Sequence, residues 1–299
     1  MSRRIVSVLA VIFAVACGAA AFVWLHAGGQ SKTLVQFTPD PPAARSGAPH
    51  EAGRTGAAVS PNQPVSAVSS KPAWNAVPAP EFTPTSGEVL DFTSSVAKVN
   101  NVASLRLVVD GRKEVAGTAA WHLQAFAHTQ NPLRMVFELD DQFDSYSAPA
   151  DFASVQYEMR LSERGQKVQS VQRMTPTGRE PAPAGASEAR VLPGTRDPLG
   201  MIEYLRSVDW SKTPMVHGPV YDGHKLYEVR AQKTGSAEVE VPAGKFSTST
   251  VDVKVFDNGE EMKDAHFTVY LVKDAARTPV LLEAVLPFAT ARVELTKKQ

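Results

Sequence analysis

The sequence predicts a mainly β protein, a curved antiparallel sheet or open barrel of roughly ten to twelve strands with one short helix, behind an N-terminal transmembrane or signal helix and a disordered linker. Three observations carry this. Apolar and polar residues alternate with period two after Gly87. Glycine-containing turn pairs recur between the alternating runs. Ahead of them lie an unbroken apolar run, Ile5 to Leu25, and a Pro/Ala/Ser-rich stretch.

The apolar run comes first. Its length suits a crossing of a hydrocarbon core about 30 Å thick, and Arg3 and Arg4 place the N-terminus inside and the rest outside by the positive-inside rule. Residues 1–27 therefore read as a signal anchor with Trp24 at the interface, as a signal peptide cut after Ala21, or as a lipoprotein leader acylated at Cys17. Cys17 is the only cysteine, so no disulfide or thiol chemistry is available beyond this segment. The expected location is the periplasm, tethered to the inner membrane, or free in it after cleavage.

Residues 28–86 form the next unit. Ten prolines fall between Pro39 and Pro84, and no apolar periodicity survives, so the segment lacks the surface needed to offset ordering entropy. A disordered tether is expected. With Lys+Arg and Asp+Glu both at 31, the 299-residue chain has no basic field for nucleic acid.

The folded domain, 87–299, is expected to be built from half-buried strands. Val155, Tyr157, Met159 and Leu161 alternate with polar residues, as do Val251, Val253 and Val255, and then Phe267, Val269 and Leu271. Asp110-Gly111, Glu163-Arg164-Gly165, Asp222-Gly223 and Asp257-Asn258-Gly259 supply the positive φ angles of hairpins. One segment breaks the rhythm: Asp197 as N-cap and Pro198 at the first turn precede Leu199, Ile202, Tyr204, Leu205 and Val208 at helical spacing. The stretch from Thr175 to Thr195, rich in proline, reads as a long loop.

Several runs then fall into a familiar order: Gly87-Glu88, Asp141-x-Phe143-x-Ser145-Tyr146, Asp197-Pro198-Leu199 leading to Tyr204-Leu205-Arg206, Asp222-Gly223-x-Lys225-x-Tyr227, Val241-Pro242-Ala243-Gly244-x-Phe246, and Asp274 with Arg277-x-Pro279-Val280. Their order and spacing resemble the bacterial envelope family catalogued as domain of unknown function 3108, over about residues 87–295. The resemblance implies an exported, mostly β single domain, and it brings no catalytic residues to carry over. The residues behind it, Asp141, Phe143, Tyr146, Asp197, Pro198, Arg206, Asp222, Gly223 and Gly244, also have structural readings as caps, turns and strand starts.

Catalytic motifs are absent from the sequence: no nucleophile elbow, dinucleotide loop, phosphate loop or HExxH occurs. Asp140 and Asp144 share a strand face about 13 Å apart, too far for a carboxylate pair, and read as solvated edge-strand charges. His122 and His128 lie about 20 Å apart on a polar outer face opposite Trp121, Leu123, Ala125 and Ala127, beyond a common metal. No cofactor or metal is expected, and an enzyme is the weaker reading. Tyr204 and Tyr146 are the candidates for lining a pocket. On the helix, Tyr204 is expected to face inward and Arg206 to pair with an acid at the rim. The function expected is the non-catalytic binding of a lipid or other apolar envelope component, with an interaction or scaffold module as the alternative and a hydrolase below both. The partners are then the membrane, through the N-terminal segment, and a lipid or an envelope protein.

Overall fold

The computed structural model describes residues 82–176, 187–285 and 290–299. The expected N-terminal helix at 1–27, linker residues 28–81 and loop residues 177–186 lie outside them. Phe82 and Pro84, ahead of the boundary expected at Gly87, are buried.

Among the described residues thirteen strands form one sheet. The first seven are β1 (Val89–Val96), β2 (Val99–Val115), β3 (Thr118–Thr129), β4 (Asp140–Ser147), β5 (Ser154–Glu163), β6 (Gln166–Pro176) and β7 (Ser187–Val191). After the one α-helix among the described residues, α1 (Pro198–Ser207), come β8 (Met215–Tyr221), β9 (Leu226–Val241), β10 (Gly244–Asp257), β11 (Glu260–Val272), β12 (Pro279–Val285) and β13 (Thr290–Lys298). The count exceeds the expected range because the Thr175–Thr195 stretch is not all loop: β6 runs to Pro176, and β7 pairs parallel to it.

The order β7-β6-β5-β4-β3-β2-β1-β13-β12-β11-β10-β9-β8 is two meanders joined where β1 meets β13. Short turns explain the meanders, since consecutive antiparallel strands need only two turn residues with positive φ. Arg164 and Gly165 (φ 51° and 80°) and Asn258 and Gly259 (φ 50° and 87°) provide them where the sequence places them. Asp110-Gly111 does not turn. It sits within β2 at a bulge, where the register with β3 shifts between Val109 and Gly111, and the hairpin falls at Ala116-Gly117 (φ 50° and 72°).

The sheet curls until its ends nearly meet. Two residues splice the seam: the Thr195 carbonyl accepts from Ser154 N (2.9 Å), Arg196 N donates to the Pro219 carbonyl (3.1 Å), and Tyr221 N donates to the Arg196 carbonyl (2.8 Å). The result is a nearly closed barrel, because a segment between β5 and β8 satisfies backbone groups that an open edge would expose.

The inside is packed. Val251, Val253 and Val255 are at most 1% exposed, and β3 turns Trp121, Leu123, Ala125 and Ala127 inward as their alternation requires. Helix α1 starts as the sequence indicates, with Asp197 Oδ1 accepting from Leu199 N and Gly200 N at 2.9 Å each. Every residue from Pro198 to Ser207 except Ile202 is buried. The helix is enclosed by the sheet.

Candidate functional site

Polar side chains gather at the two ends of α1 and on the outer face of β3 and β4. At the C-terminal end, Arg206 is 1% exposed and donates to Glu203 Oε1 at 2.8 Å, one helical turn back. Its Nη2 approaches Glu88 Oε2 at 2.8 Å, an ion pair rather than an aligned hydrogen bond, and Lys298 reaches Glu88 Oε1 at 3.1 Å. The Phe82 ring lies 4.7 Å from the guanidinium. Two buried acids are thus balanced by buried Arg206 and by Lys298, which reaches in from the surface. Burial pushes the Glu203 carboxyl up despite Arg206 beside it, whereas the two glutamates hold the Arg206 guanidinium above its usual value although burial opposes it. Beside these groups is a cavity of about 20 Å³, bordered by Leu90, Leu123, Leu199, Glu88, Glu203 and Arg206. That is room for about one water molecule.

At the N-terminal end, Asp197 also receives Ser145 Oγ (2.6 Å) and Ser154 Oγ (2.5 Å) on Oδ2. Together with the two helix amides this saturates the carboxylate, as capping requires. Arg196, also 1% exposed, stacks on Tyr204 with its guanidinium 3.7 Å from the ring centroid and donates to the Asp151 carbonyl at 2.9 Å. Burial lowers its pKa. Tyr204 is therefore held by Arg196 and is 1% exposed, not free to line a space. Arg206 is paired with acids, but in the interior and not at a rim.

Outside the barrel, His122 lies between two carboxylates, with Nδ1 2.9 Å from Asp110 and Nε2 2.9 Å from Asp144, and stacks on Tyr146 at a 4.6 Å centroid distance. Burial works against the imidazolium, yet hydrogen bonds to Asp144 and Asp110 outweigh it and raise its pKa. Burial likewise would raise Asp144, but hydrogen bonds from His122, Gln124 and Gln142 and the charge of Arg160 hold it down at about 2. The acids of β4 are thus not solvated edge charges. β4 is an inner strand between β3 and β5, so Asp144 is covered by neighbours on both sides and Asp140 pairs with Arg134 and His128. Asp141 alternates to the inside, where burial pushes it up to about 7 and Ser162 N donates to it at 2.8 Å.

The pocket candidates do not meet. Strand alternation puts Tyr146 on the outer face with His122, while Tyr204 is inside. The same alternation keeps His122 apart from the inward Ser145 and Ser147, so no serine–histidine couple forms there, and the rings of His122, His128 and His266 all contact carboxylates. Among the described residues no group of three or more His, Cys, Asp or Glu could hold a metal ion. Of the remaining signature residues, Phe143 packs in the core, Asp222 caps the β8–β9 turn by accepting from His224 N and Lys225 N at 2.8 Å each, and Gly223 (φ 97°) follows it against Met159. Gly244 (φ 133°) opens β10. The sequence left Glu203 and Arg196 unremarked; the i, i+3 spacing of Glu203 and Arg206 on a helix was the available signal.

Three solved structures are similar in outline. One is a β-barrel-like protein of domain of unknown function 1849 from Brucella abortus, at 10% identity and TM-score 0.46, covering 73% of this chain and 98% of that one. Another is a candidate lipoprotein from Parabacteroides distasonis, at 12% identity and TM-score 0.33, covering 73% and 97%. The third is a candidate exported protein with a YmcC-like fold from Bacteroides fragilis, at 10% identity and TM-score 0.28, covering 73% and 98%. A comparison with curated proteins finds no match. The family model described as a protein of unknown function, DUF3108, matches residues 91–296, almost the whole of the barrel, and the chain belongs to that family.

Proposed function

We propose that this chain is an exported, non-catalytic envelope protein that works as an interaction or scaffold module through its outer surface and strand edges. The observation that carries the reading is the filled interior: α1 is enclosed by the sheet, and the cavity beside it has a volume of about 20 Å³. A drug-sized or lipid-sized ligand needs a cleft of roughly 300 Å³ or more. The Arg3/Arg4 flank and the apolar run Ile5 to Leu25 support export and membrane tethering. A phosphatase reporter fused after Gln299 tests that part, being active only if the domain is exported.

A second reading, uptake of an apolar envelope component, is favoured by one observation. The α1 end of the barrel holds Glu203 Oε2 and Arg206 Nε without hydrogen-bond partners among the described residues, a cost that displacement of the enclosed helix would relieve. The full chain titrated with an apolar fluorescent probe separates the two readings. The module reading expects no enhancement from the wild type and a discrete protein adduct from a photo-crosslinker placed on the outer face. Saturable enhancement, weakened by Tyr204→Ala, would favour uptake instead.

A further inference from the structure

We propose that the outer edge of β9, from Thr234 to Glu240, is a docking site that receives an extended segment of a partner protein as an added strand, the segment carrying basic residues alternating with apolar ones. This rests on the module reading above and names its surface.

β8 stops short of its neighbour. Its ladder with β9 runs from Tyr221↔Leu226 to Met215↔Gln232, and Lys233 N then donates to the Pro214 carbonyl at 2.9 Å. β9 continues to Val241, paired only with β10. From Thr234 to Glu240 it therefore has a free outer edge among the described residues, seven residues long by their numbering. An unpaired edge of this length presents a row of backbone donors and acceptors to any extended chain that reaches it.

The side chains along the edge say what kind of chain fits. Thr234, Ser236, Glu238 and Glu240 are exposed on one face and Gly235, Ala237 and Val239 half-buried on the other. Nothing lies within 4 Å of where a Cβ on Gly235 would be. That leaves a shallow floor on which alternate side chains of an added strand can rest, which calls for apolar residues. The exposed face is acidic: among the described residues Glu238 makes no ion pair, and Glu240 pairs with Lys245 at 3.2 Å with both side chains more than 70% exposed. Residues of the added strand facing that side are best matched by lysine or arginine. The register shift between Thr250 and Val251, opposite Gly235 and Lys233, bends the strand at the start of this edge and marks where docking begins. A second copy pairing through the same edge would set Glu238 and Glu240 near their own kind, which argues against self-association here.

The test uses the full chain and a fluorescein-labelled octapeptide of alternating lysine and valine, read by anisotropy. Its partner probe is the same peptide N-methylated at every second residue, which keeps charge and apolar content but removes the hydrogen-bonding edge. The proposal expects saturable binding of the first peptide and at least roughly tenfold weaker binding of the second, since several backbone hydrogen bonds are lost. It expects amide exchange to slow at Thr234 to Glu240 on binding, and the Glu238→Lys/Glu240→Lys variant, folded by circular dichroism, to bind at least roughly tenfold more weakly. Equal binding of the two peptides, binding unaffected by the charge reversal, or no binding at all overturns it. If the crosslinked adduct of the preceding test persists undiminished in the Glu238→Lys/Glu240→Lys variant, the module reading stands and the β9 site fails.

Discussion

Asp141 faces an apolar interior, and a carboxyl in that position resists losing its proton. Burial carries it from 3.8 to about 7, so between these two values the folded chain holds a proton that the unfolded chain has released. Stability must then fall as pH rises from about 4 to 7, by on the order of 4 kcal/mol at most, and stay lower above. Asp141→Asn should flatten that decline, and the urea midpoint of the variant should overtake the wild type between pH 5 and pH 8. An unchanged slope would contradict the assignment. His122 adds to the same trend at higher pH: its pKa is raised, so its ion pairs with Asp110 and Asp144 are fully present below 6.5 and disappear as pH climbs through the folded value. Gly200 poses a different contest. Alanine there gains about 1 kcal/mol in helix propensity. Its Cβ, however, would lie 2.7 Å from the Phe152 carbonyl and 2.8 Å from Ser147 Oγ, and such overpacking costs about 1–3 kcal/mol or more. Gly200→Ala should lower the melting temperature by several degrees, which a thermal scan reads directly.

Helix α1 shows what local sequence can and cannot say. Its start was legible because Asp197 and Pro198 act on their own backbone neighbours, and capping is a local event. Its full enclosure was not, because Glu203 and Arg206 look like a solvated face until Glu88, just ahead of β1 and more than a hundred residues earlier, closes over them. The same limit governs β4. Alternation correctly divides Asp141 and Phe143 from Asp140 and Asp144, but whether a strand is an edge or an inner one is decided by partners elsewhere in the chain. Asp110-Gly111 was misread as a turn for a related reason, since a glycine that bulges a long strand and one that reverses it share the same dipeptide. Enclosure also sets the energetics of the helix. Arg206→Met should cost about 3–5 kcal/mol, because it leaves Glu203 buried without its cation and Glu88 with Lys298 alone. Adding Glu203→Leu to that variant should recover part of the loss, and chemical denaturation of both checks the order.

For the molecule as a whole, packing extends ahead of β1 to Phe82, whose ring covers Arg206. Deleting residues 39–81 should leave the melting temperature of the barrel nearly unchanged, whereas a deletion reaching through Phe82 and Pro84 should lower it. The two meanders pair strand to strand where β1 meets β13, and there Val89 and Gln299 exchange backbone hydrogen bonds at 3.1 and 2.9 Å. That pairing brings together the two ends of the packed chain, which makes the order of the strands along the polypeptide nearly cyclic. A gene in which Gln299 is joined through a short glycine-serine bridge to Phe82, and reopened between Asn258 and Gly259, would read the same ring of strands from a different starting point. Such a permuted polypeptide should reach the same barrel, checked by circular dichroism and thermal melting, with β1 and β13 becoming neighbours in sequence while β10 and β11 take their place as the most distant pair.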